Sequence, residues 1–185
     1  YRSQNEQDSR LLGQFTELPM IEATRVAHGC GMMEYAFELS ERIEMPVIVR
    51  EVRSFAFTTA DVLLPSAEGP PATDAADVAL ERTQRRWIAS TSNVIPRHRQ
   101  LHEKLDGVEG EFSRSPFNCV AGEGTVGILS AGFCGSKVDA ALDAMELPAY
   151  IARLDLATLL PMPSDIVVPF LDPLDRVLIV EEIEP

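Results

Sequence analysis

The sequence contains little cysteine, no CxxC pair and no apolar run long enough to span a membrane. Its three cysteines, Cys30, Cys119 and Cys134, are an odd number whose spacing excludes a recognisable iron–sulfur or zinc site within the chain. Unpaired cysteines are typical of reduced thiols in the cytoplasm, and they are more often buried core residues than nucleophiles. Because no signal-peptide pattern is present either, we expect a cytoplasmic protein without a membrane partner.

Positive charge is also scarce. The chain carries 16 Lys and Arg against 29 Asp and Glu, which gives a formal net charge of −13. A nucleic-acid surface needs clustered Lys and Arg, so this composition argues against a nucleic-acid partner. With 185 residues, of which 45% are hydrophobic, the chain can bury the core of one large domain or of two small ones.

What the chain does contain, at its start, is a polar segment. Residues 3–10, Ser-Gln-Asn-Glu-Gln-Asp-Ser-Arg, have no apolar member, so this segment cannot lie in a core. One interpretation is a solvated helix start, because Ser3 and Asn5 are good capping residues. The other is a loop that faces a cleft, where carboxamides and a carboxylate hold a cofactor or a partner subunit. Composition alone favours the solvated helix start.

Residues 20–50 predict a strand–helix–strand unit. Met20-Ile21-Glu22-Ala23 is a strand pattern, and residues 47–49 form a second strand that ends at Arg50. Between them a helix is predicted from apolar residues at three and four spacings: Met32, Met33, Ala36, Phe37 and Leu39. Such a unit requires a parallel pair with a crossover helix, and its sheet must be larger than two strands to be stable.

Residues 54–116 are less regular. Residues 55–59 predict a strand, residues 66–71 a loop, residues 75–86 a surface helix, and residues 97–105 a helix with Pro96 in its first turn. Much of the positive charge and the only tryptophan lie here: Arg82, Arg85, Arg86, Trp87, Arg97, His98, Arg99, His102 and Lys104. The segment is either a solvated connector or a strip that binds an anion or a partner, and the pattern favours the connector.

Residues 117–185 predict a three-strand α/β unit. Strands are expected over 125–130, 149–154 and 176–181, with a helix over 136–145 and a short helical turn over 156–160. Continuous Val, Ile and Leu runs indicate strands covered on both faces. The turn with Gly132 and Gly135 lies where α/β proteins bind phosphate, but it lacks the GxGxxG fingerprint, with Asp155 the nearest acidic candidate, so it favours a packing turn.

No catalytic arrangement is evident, and the catalytic residues stay unknown. His28, His98 and His102 are not paired with a cysteine or serine in a way that indicates a nucleophile, and no metal site is predicted. The pair Glu181 and Glu182 follows the last strand, where acids are more often solvated than catalytic.

Several segments together carry a family resemblance. They are residues 3–10, 36–41, 46–50, 115–118 and 177–185, in the same order along the chain. This pattern resembles an interior part of the alpha subunit of indolepyruvate:ferredoxin oxidoreductases, in the thiamine-diphosphate-dependent 2-oxoacid:acceptor oxidoreductase family. The resemblance implies an α/β fold in three parts: the end of a pyrimidine-binding-type parallel-sheet domain (1–53), a linker with helices (54–116), and an incomplete transketolase C-terminal-like three-layer α/β domain (117–185).

The resemblance also implies a function. The whole enzyme would oxidatively decarboxylate an aryl 2-oxoacid to an acyl-CoA, using thiamine diphosphate with Mg, [4Fe-4S] clusters and ferredoxin as acceptor. Its partners would be the other domains of the subunit, a beta subunit and ferredoxin, and this chain alone would be inactive and bind no cofactor. Five residues would line the cofactor cleft: Ser3, Gln4, Asn5, Glu6 and Gln7.

Two differences from that family leave the 2-oxoacid open. Relatives carry His-Ser where this chain has Tyr1-Arg2, and Thr-Thr-x-Arg after Arg50 where it has Glu51-Val52-Arg53. A non-catalytic α/β module that docks another subunit is the main alternative. A small nucleotide-binding domain centred on Gly132 and Gly135 is a third interpretation.

Overall fold

The computed structural model describes residues 8–62, 88–146 and 150–182. The helices in these ranges are α1 (Arg10–Thr16), α2 (Gly29–Ile43), α3 (Arg53–Ala56), α4 (Thr91–Phe112), α5 (Cys134–Ala144) and α6 (Ser164–Leu171). The strands are β1 (Met20–Glu22), β2 (Ile48–Arg50), β3 (Cys119–Ala121), β4 (Val126–Ala131), β5 (Ala152–Leu156), β6 (Thr158–Leu160) and β7 (Arg176–Val180). None of these helices combines the length and the apolar composition needed to cross a bilayer.

The first sheet has three strands in the order β2-β1-β6. β1 and β2 are parallel and α2 connects them, which confirms the predicted strand–helix–strand unit. α2 buries Met32, Ala36 and Leu39 against the sheet. The prediction that Met33 and Phe37 share this buried face is wrong, since the two side chains are 40% and 68% exposed. Each follows a buried residue, Met32 or Ala36, and therefore lies about 100° further around the helix.

The second sheet has four strands in the order β3-β5-β4-β7. β4 is parallel to both β5 and β7, whereas β3 is antiparallel to β5. The predicted strands over 125–130 and 176–181 and the helix between them are confirmed, and β5 lies slightly later in the chain than expected. β3 was not predicted. Parallel pairs in both sheets confirm the α/β class.

The two sheets share one stretch of chain. The sequence predicted a helical turn over residues 156–160, which was wrong: β5 ends at Leu156 and β6 begins at Thr158. Ala157 lies at the point where the chain leaves the second sheet and enters the first, and its carbonyl accepts a hydrogen bond from the N–H of Glu22 at 2.8 Å. Tertiary hydrogen bonds therefore override the helical preference of this apolar run.

Asn118 holds the same junction from the other side. Its Oδ1 accepts hydrogen bonds from the N–H groups of Ala157 (2.8 Å) and Thr158 (3.2 Å). Its Nδ2 donates to the carbonyl of Phe112 at 2.8 Å and to Oγ1 of Thr158 at 2.9 Å. One carboxamide thus joins the end of α4 to the junction between the sheets, which gives a structural role to the Ser-Pro-Phe-Asn segment noted in the sequence.

The connector between the two predicted domains also differs from expectation. Residues 55–59 were predicted as a strand, but α3 occupies Arg53–Ala56 and leaves Phe57 exposed. The helix predicted over 97–105 exists but is longer, and Pro96 lies inside α4. Proline has no N–H to donate, so α4 lacks one helical hydrogen bond near its start. The predicted loop at 66–71, the helix at 75–86 and Trp87 lie outside the described residues.

β7 is less covered than its sequence predicted. Val177, Leu178 and Ile179 are 40%, 59% and 58% exposed, although a continuous apolar run indicated burial on both faces. The reason is that, among the strands of the described residues, β7 lies at an edge of its sheet and pairs with β4 alone. β5, which lies inside the sheet, is buried along its whole length as predicted.

The core lies on both sides of β1. Ile21 belongs to one apolar cluster with α2 and α4, whereas Met20 belongs to a second cluster with β4, β5 and α6. Alternate side chains of a strand point to opposite faces, so β1 is the layer between the two clusters.

α2 and α4 are joined by a polar contact at their surface. The carboxylate of Glu111 on α4 accepts two hydrogen bonds of 2.8 Å from Arg42 and one of 2.7 Å from the hydroxyl of Tyr35. Lys104 of α4 also donates to the carbonyl of Ile43, the last residue of α2, at 2.6 Å. The hydrogen bonds from Arg42 lower the pKa of Glu111 below its usual 4.5, and burial opposes this shift.

We expect Glu111→Gln to lower the free energy of unfolding by about 1 kcal/mol or less at pH 7, since Arg42 is largely exposed and the pair is screened. Because the pKa of Glu111 is depressed in the folded state, its contribution is present above about pH 4.5 and is lost as the pH falls below that value. Urea unfolding of wild type and variant at pH 7 and in acid measures the difference. Glu103→Gln, an exposed acid on the same helix, is the control, and a difference that persists unchanged in acid would contradict the assignment.

Candidate functional site between the two sheets

A cavity of about 200 Å³ lies where the two sheets meet. Its walls come from α1, from the carboxyl ends of β4 and β5, and from β6. Ligands of α/β proteins bind outside the carboxyl ends of parallel strands, so this is the expected position for a site. Its apolar wall consists of Leu11, Leu129, Ala131, Leu156, Leu159, Leu160 and Met162, and its polar wall of Asp8, Arg10, Gln14 and Glu181.

The predicted cleft-lining residues adjoin this cavity in sequence. Ser3, Gln4, Asn5, Glu6 and Gln7 lie outside the described residues. The next three residues of the same polar segment are described: Asp8 and Arg10 line the cavity, and Oγ of Ser9 accepts a hydrogen bond from Nε of Arg50 at 3.0 Å. The side chains of Asp8 and Arg10 are thus largely buried at the cavity, whereas Ser9 between them is exposed.

The polar wall is a closed set of ion pairs. Nε of Arg10 donates to the two oxygens of Asp8 at 2.8 and 3.0 Å, and its Nη1 lies 2.6 Å from Oε1 of Glu181. The hydrogen bonds from Arg10 lower the pKa of Asp8, and burial opposes them. Arg10 therefore lies between two carboxylates, and Nη2 of Arg50 lies 4.0 Å from Asp8, so each of the two acids in this wall has a cation within reach.

A buried ion pair lies directly behind this wall. Glu22 ends β1 and Arg50 ends β2, and the two residues are register partners. Their side chains are 2% and 5% exposed, and Nη1 of Arg50 donates to Oε2 of Glu22. Burial raises the pKa of Glu22, while Arg50 and the N–H of Phe133 favour its ionised form. Such a pair is costly to break, because a single buried charge would be left without a partner.

The second oxygen of Glu22 reaches the turn before α5. It accepts a hydrogen bond from the N–H of Phe133 at 3.1 Å. Gly132 has a φ of 56°, and a Cβ there would overlap with the carboxylate of Glu22. A phosphate at a strand-to-helix turn would use such N–H groups, but here the chain's own carboxylate occupies the position. The turn is therefore a packing turn, which is the interpretation that the sequence favoured.

Asp155, the acidic candidate for a nucleotide site, is also enclosed. It is fully buried and accepts hydrogen bonds from Ser130 at 2.5 Å and from Arg153 at 2.9 and 2.8 Å. Arg25, from the segment that follows β1, lies 3.3 Å from it. These contacts join β4, β5 and the crossover of the first sheet, and they leave no side of Asp155 open to a ribose.

The acids after β7 are paired rather than solvated. Glu181 contacts Arg10, and Glu182 contacts Lys137 and accepts a hydrogen bond from Ser54 at 3.4 Å. Cys134 lies beside Glu182, and burial raises the pKa of its thiol to about 11. This thiol is protonated at neutral pH and is a packing group rather than a nucleophile.

The residues that join the two sheets, Glu22, Arg50 and Asn118, were not predicted as functional from the sequence. For Glu22 and Arg50 the sequence held a signal, because a charged residue inside or at the end of a buried strand requires an oppositely charged or hydrogen-bonding partner. The contacts of Glu22 with the N–H of Phe133 and of Asn118 with Ala157 depend on how the two sheets pack, which no local pattern shows.

Comparisons with known proteins give one consistent result. No protein-family model matches the chain. The chain is 32% identical over 190 aligned residues to indolepyruvate oxidoreductase subunit IorA of Pyrococcus abyssi and 30% identical over 188 residues to that of Thermococcus kodakarensis. Both alignments cover 100% of this chain and 29% of the relative, so the chain spans less than a third of the length of the curated relatives that it matches.

A solved structure supports the fold. The chain is similar to a 2-oxoglutarate:ferredoxin oxidoreductase from Magnetococcus marinus, solved with 2-oxoglutarate, coenzyme A and succinyl-CoA bound. The TM-score is 0.56 at 18% identity, and the match covers 87% of this chain and 34% of that one. At this identity the match is evidence for the fold alone.

We expect Gly132→Ala to lower the free energy of unfolding by roughly 2 kcal/mol or more, because a Cβ would meet Glu22 and the positive φ is strained for alanine. Gly107→Ala is the matched control. Gly107 lies inside α4 with nothing within 4 Å of an added Cβ, so alanine should be neutral or should stabilise by about 1 kcal/mol. Chemical denaturation of both variants checks this, and an unaffected Gly132→Ala protein would contradict the close contact.

We expect Arg50→Met to cost about 3–5 kcal/mol, because it leaves Glu22 buried and unpaired. The double variant Glu22→Gln/Arg50→Met should cost clearly less than the sum of the single changes, since no unpaired charge remains. Arg42→Met, at the exposed pair with Glu111, is the control and should cost less than about 1 kcal/mol. Urea unfolding of the set measures the coupling, and strictly additive effects would argue against a buried pair.

Proposed function

Because the chain belongs to the family of indolepyruvate oxidoreductase IorA subunits, we propose that it is a segment of an enzyme that oxidises an aryl 2-oxoacid such as indolepyruvate. The observation that carries this proposal is the sequence match, which extends over 100% of the chain. In the proposed reaction the 2-oxoacid and coenzyme A would give an acyl-CoA, carbon dioxide and a proton, and the two electrons released would reduce ferredoxin by way of the [4Fe-4S] clusters of the whole enzyme.

Thiamine diphosphate with Mg would supply the carbanion chemistry of the whole enzyme. The described residues do not fit the diphosphate end of that cofactor. A diphosphate and its metal need free carboxylates, cations or N–H groups, whereas Asp8 and Glu181 are paired with Arg10, and Glu22 occupies the turn before α5. We therefore assign no step of the reaction to these residues, and we place the diphosphate site in another part of the enzyme.

We propose that this chain joins two domains beside the cofactor cleft. Residues 1–53 would complete the pyrimidine-binding domain, residues 54–116 would be a linker with helices, and residues 117–185 would belong to the transketolase C-terminal-like domain. Ser3, Gln4, Asn5, Glu6 and Gln7 would face the cleft. Support comes from Asp8 and Arg10, which continue the same segment and line the cavity at the carboxyl ends of β4 and β5.

The proposed partners are the other domains of the same subunit, a beta subunit and ferredoxin, all in the cytoplasm. One observation favours such contacts: Val177, Leu178 and Ile179 of β7 expose apolar surface at the edge of the sheet. An exposed apolar edge strand is a site where further chain binds. Because the chain spans 29% of the length of its relatives, we propose that other parts of the same subunit cover this strand.

The alternative is a non-catalytic α/β module that docks another subunit. The observation in its favour is that the charges lining the cavity are all paired, which suits a structural joint better than a reaction centre. The two functions differ in whether the whole protein turns over a 2-oxoacid, so a turnover assay of the whole protein distinguishes them.

We expect the whole protein, produced together with its beta subunit, to reduce ferredoxin only when an aryl 2-oxoacid and coenzyme A are both present. Absorbance of reduced ferredoxin and chromatography of the acyl-CoA product measure this. The 185-residue chain alone should show no heat of binding with thiamine diphosphate and Mg in calorimetry. Tight binding to the chain alone would contradict the domain assignment, and a whole protein without turnover on any aryl 2-oxoacid would favour the docking module.

A further inference from the structure

Two histidines and a glutamate meet on the surface, away from the cavity. His98 and His102 lie one turn apart on α4, and Glu17 lies at the end of α1. Nε2 of His102 is 3.0 Å from Oε1 of Glu17, and Nε2 of His98 is 3.5 Å from Oε2 of the same carboxylate. The ligand atoms of all three residues lie within 4.8 Å of one another.

The backbone explains why these groups converge. Residues four apart share one face of a helix, so the two imidazoles point the same way, with ring centroids 4.4 Å apart. Glu17 has φ 52° and ψ 41°, a left-handed conformation in which its N–H caps α1. That turn ends α1 and directs the side chain of Glu17 toward α4, so the cluster is held by two ordered elements.

The distances suit a tetrahedral ion. With zinc-to-ligand bonds of about 2.0–2.1 Å, neighbouring ligand atoms are separated by about 3.3 Å. The separations of 3.0 Å from His102 to Oε1 of Glu17 and of 3.5 Å from His98 to Oε2 lie on either side of that value, each to a different oxygen of the carboxylate. One ligand atom from each residue lies within 4.8 Å of the other two, and rotation of the exposed histidine side chains together with the carboxylate can bring all three to that spacing.

We propose that Glu17, His98 and His102 bind one Zn²⁺, with water at the fourth position. Two imidazoles and a carboxylate are a donor set that zinc prefers, whereas Mg²⁺ and Ca²⁺ prefer oxygen ligands alone. The surroundings favour a cation, because Glu103 and Asp106 line the same groove as the two histidines, although Arg99 lies there as well. The formal net charge of −13 adds a general attraction for cations.

Bound zinc would fasten α1 to α4. Glu17 and His102 are 85 residues apart in the sequence, so the ion would close a long loop. α1 begins at Arg10, whose guanidinium forms the polar wall of the cavity, so the ion would also fix that wall. The cysteine spacing predicted no metal site, and no sequence motif places Glu17 beside the histidines of α4.

Calorimetric titration of ZnCl₂ into the metal-free full chain tests the site. We expect micromolar or tighter binding at one ion per chain, at least about tenfold weaker in His98→Gln, His102→Gln and Glu17→Gln. His28→Gln and Glu34→Gln are matched controls that should bind zinc as wild type does, because neither residue belongs to the cluster or lines the groove around it. The three cluster side chains are exposed, so the variants should fold, which circular dichroism checks.

Two further readouts separate a built site from incidental binding. Zinc should raise the melting temperature of wild type and slow hydrogen exchange in α1, and neither change should occur in the double variant His98→Gln/His102→Gln. Co²⁺ in place of zinc should give the intense visible absorption of a tetrahedral site in wild type only. Equal affinity in wild type and the double variant, or no binding at 100 times the chain concentration, would overturn the proposal.

Discussion

The structure depends on one buried carboxylate. Glu22 ends the central strand of the first sheet, where it pairs with Arg50 and accepts a hydrogen bond from the N–H of Phe133, which follows β4 of the second sheet. Removing a carboxylate from water is unfavourable unless its oxygens are satisfied, so the two sheets and the turn at Gly132 must meet in one arrangement. The buried pair specifies how the sheets dock, whereas the apolar clusters on either side of β1 supply most of the stabilisation.

Asn118 and Ala157 complete this joint without charge. Ala157 is the single residue between β5 and β6, and its N–H and carbonyl are both bound, to Asn118 and to Glu22. Where the chain passes from one sheet to the next, its backbone N–H and C=O groups lose their partners in the strand pairing and need other hydrogen-bond partners. Here a carboxamide and a strand N–H do so, which keeps the cavity between the sheets in place.

The cavity unites the proposed role with the geometry. It lies at the carboxyl ends of β4 and β5, and the end of the polar segment that contains the proposed cleft residues forms its polar wall. The paired charges of Asp8, Arg10 and Glu181 are suited to fixing the position of that segment rather than to moving protons. This agrees with the proposal that the chain positions parts of a larger protein, and the chain spans 29% of the length of its relatives.

The sequence by itself determined the α/β class, the crossover between β1 and β2, the strand and helix around residues 125–145, and the family. Those features are encoded locally, in apolar periodicity and in a chain-long resemblance. Only the tertiary structure decided that residues 158–160 form a strand of the first sheet, that β7 is an exposed edge, and that Glu22 enters the turn at Gly132. Each of these depends on partners distant in sequence, because hydrogen bonding and burial are set by neighbours in space that no local pattern names.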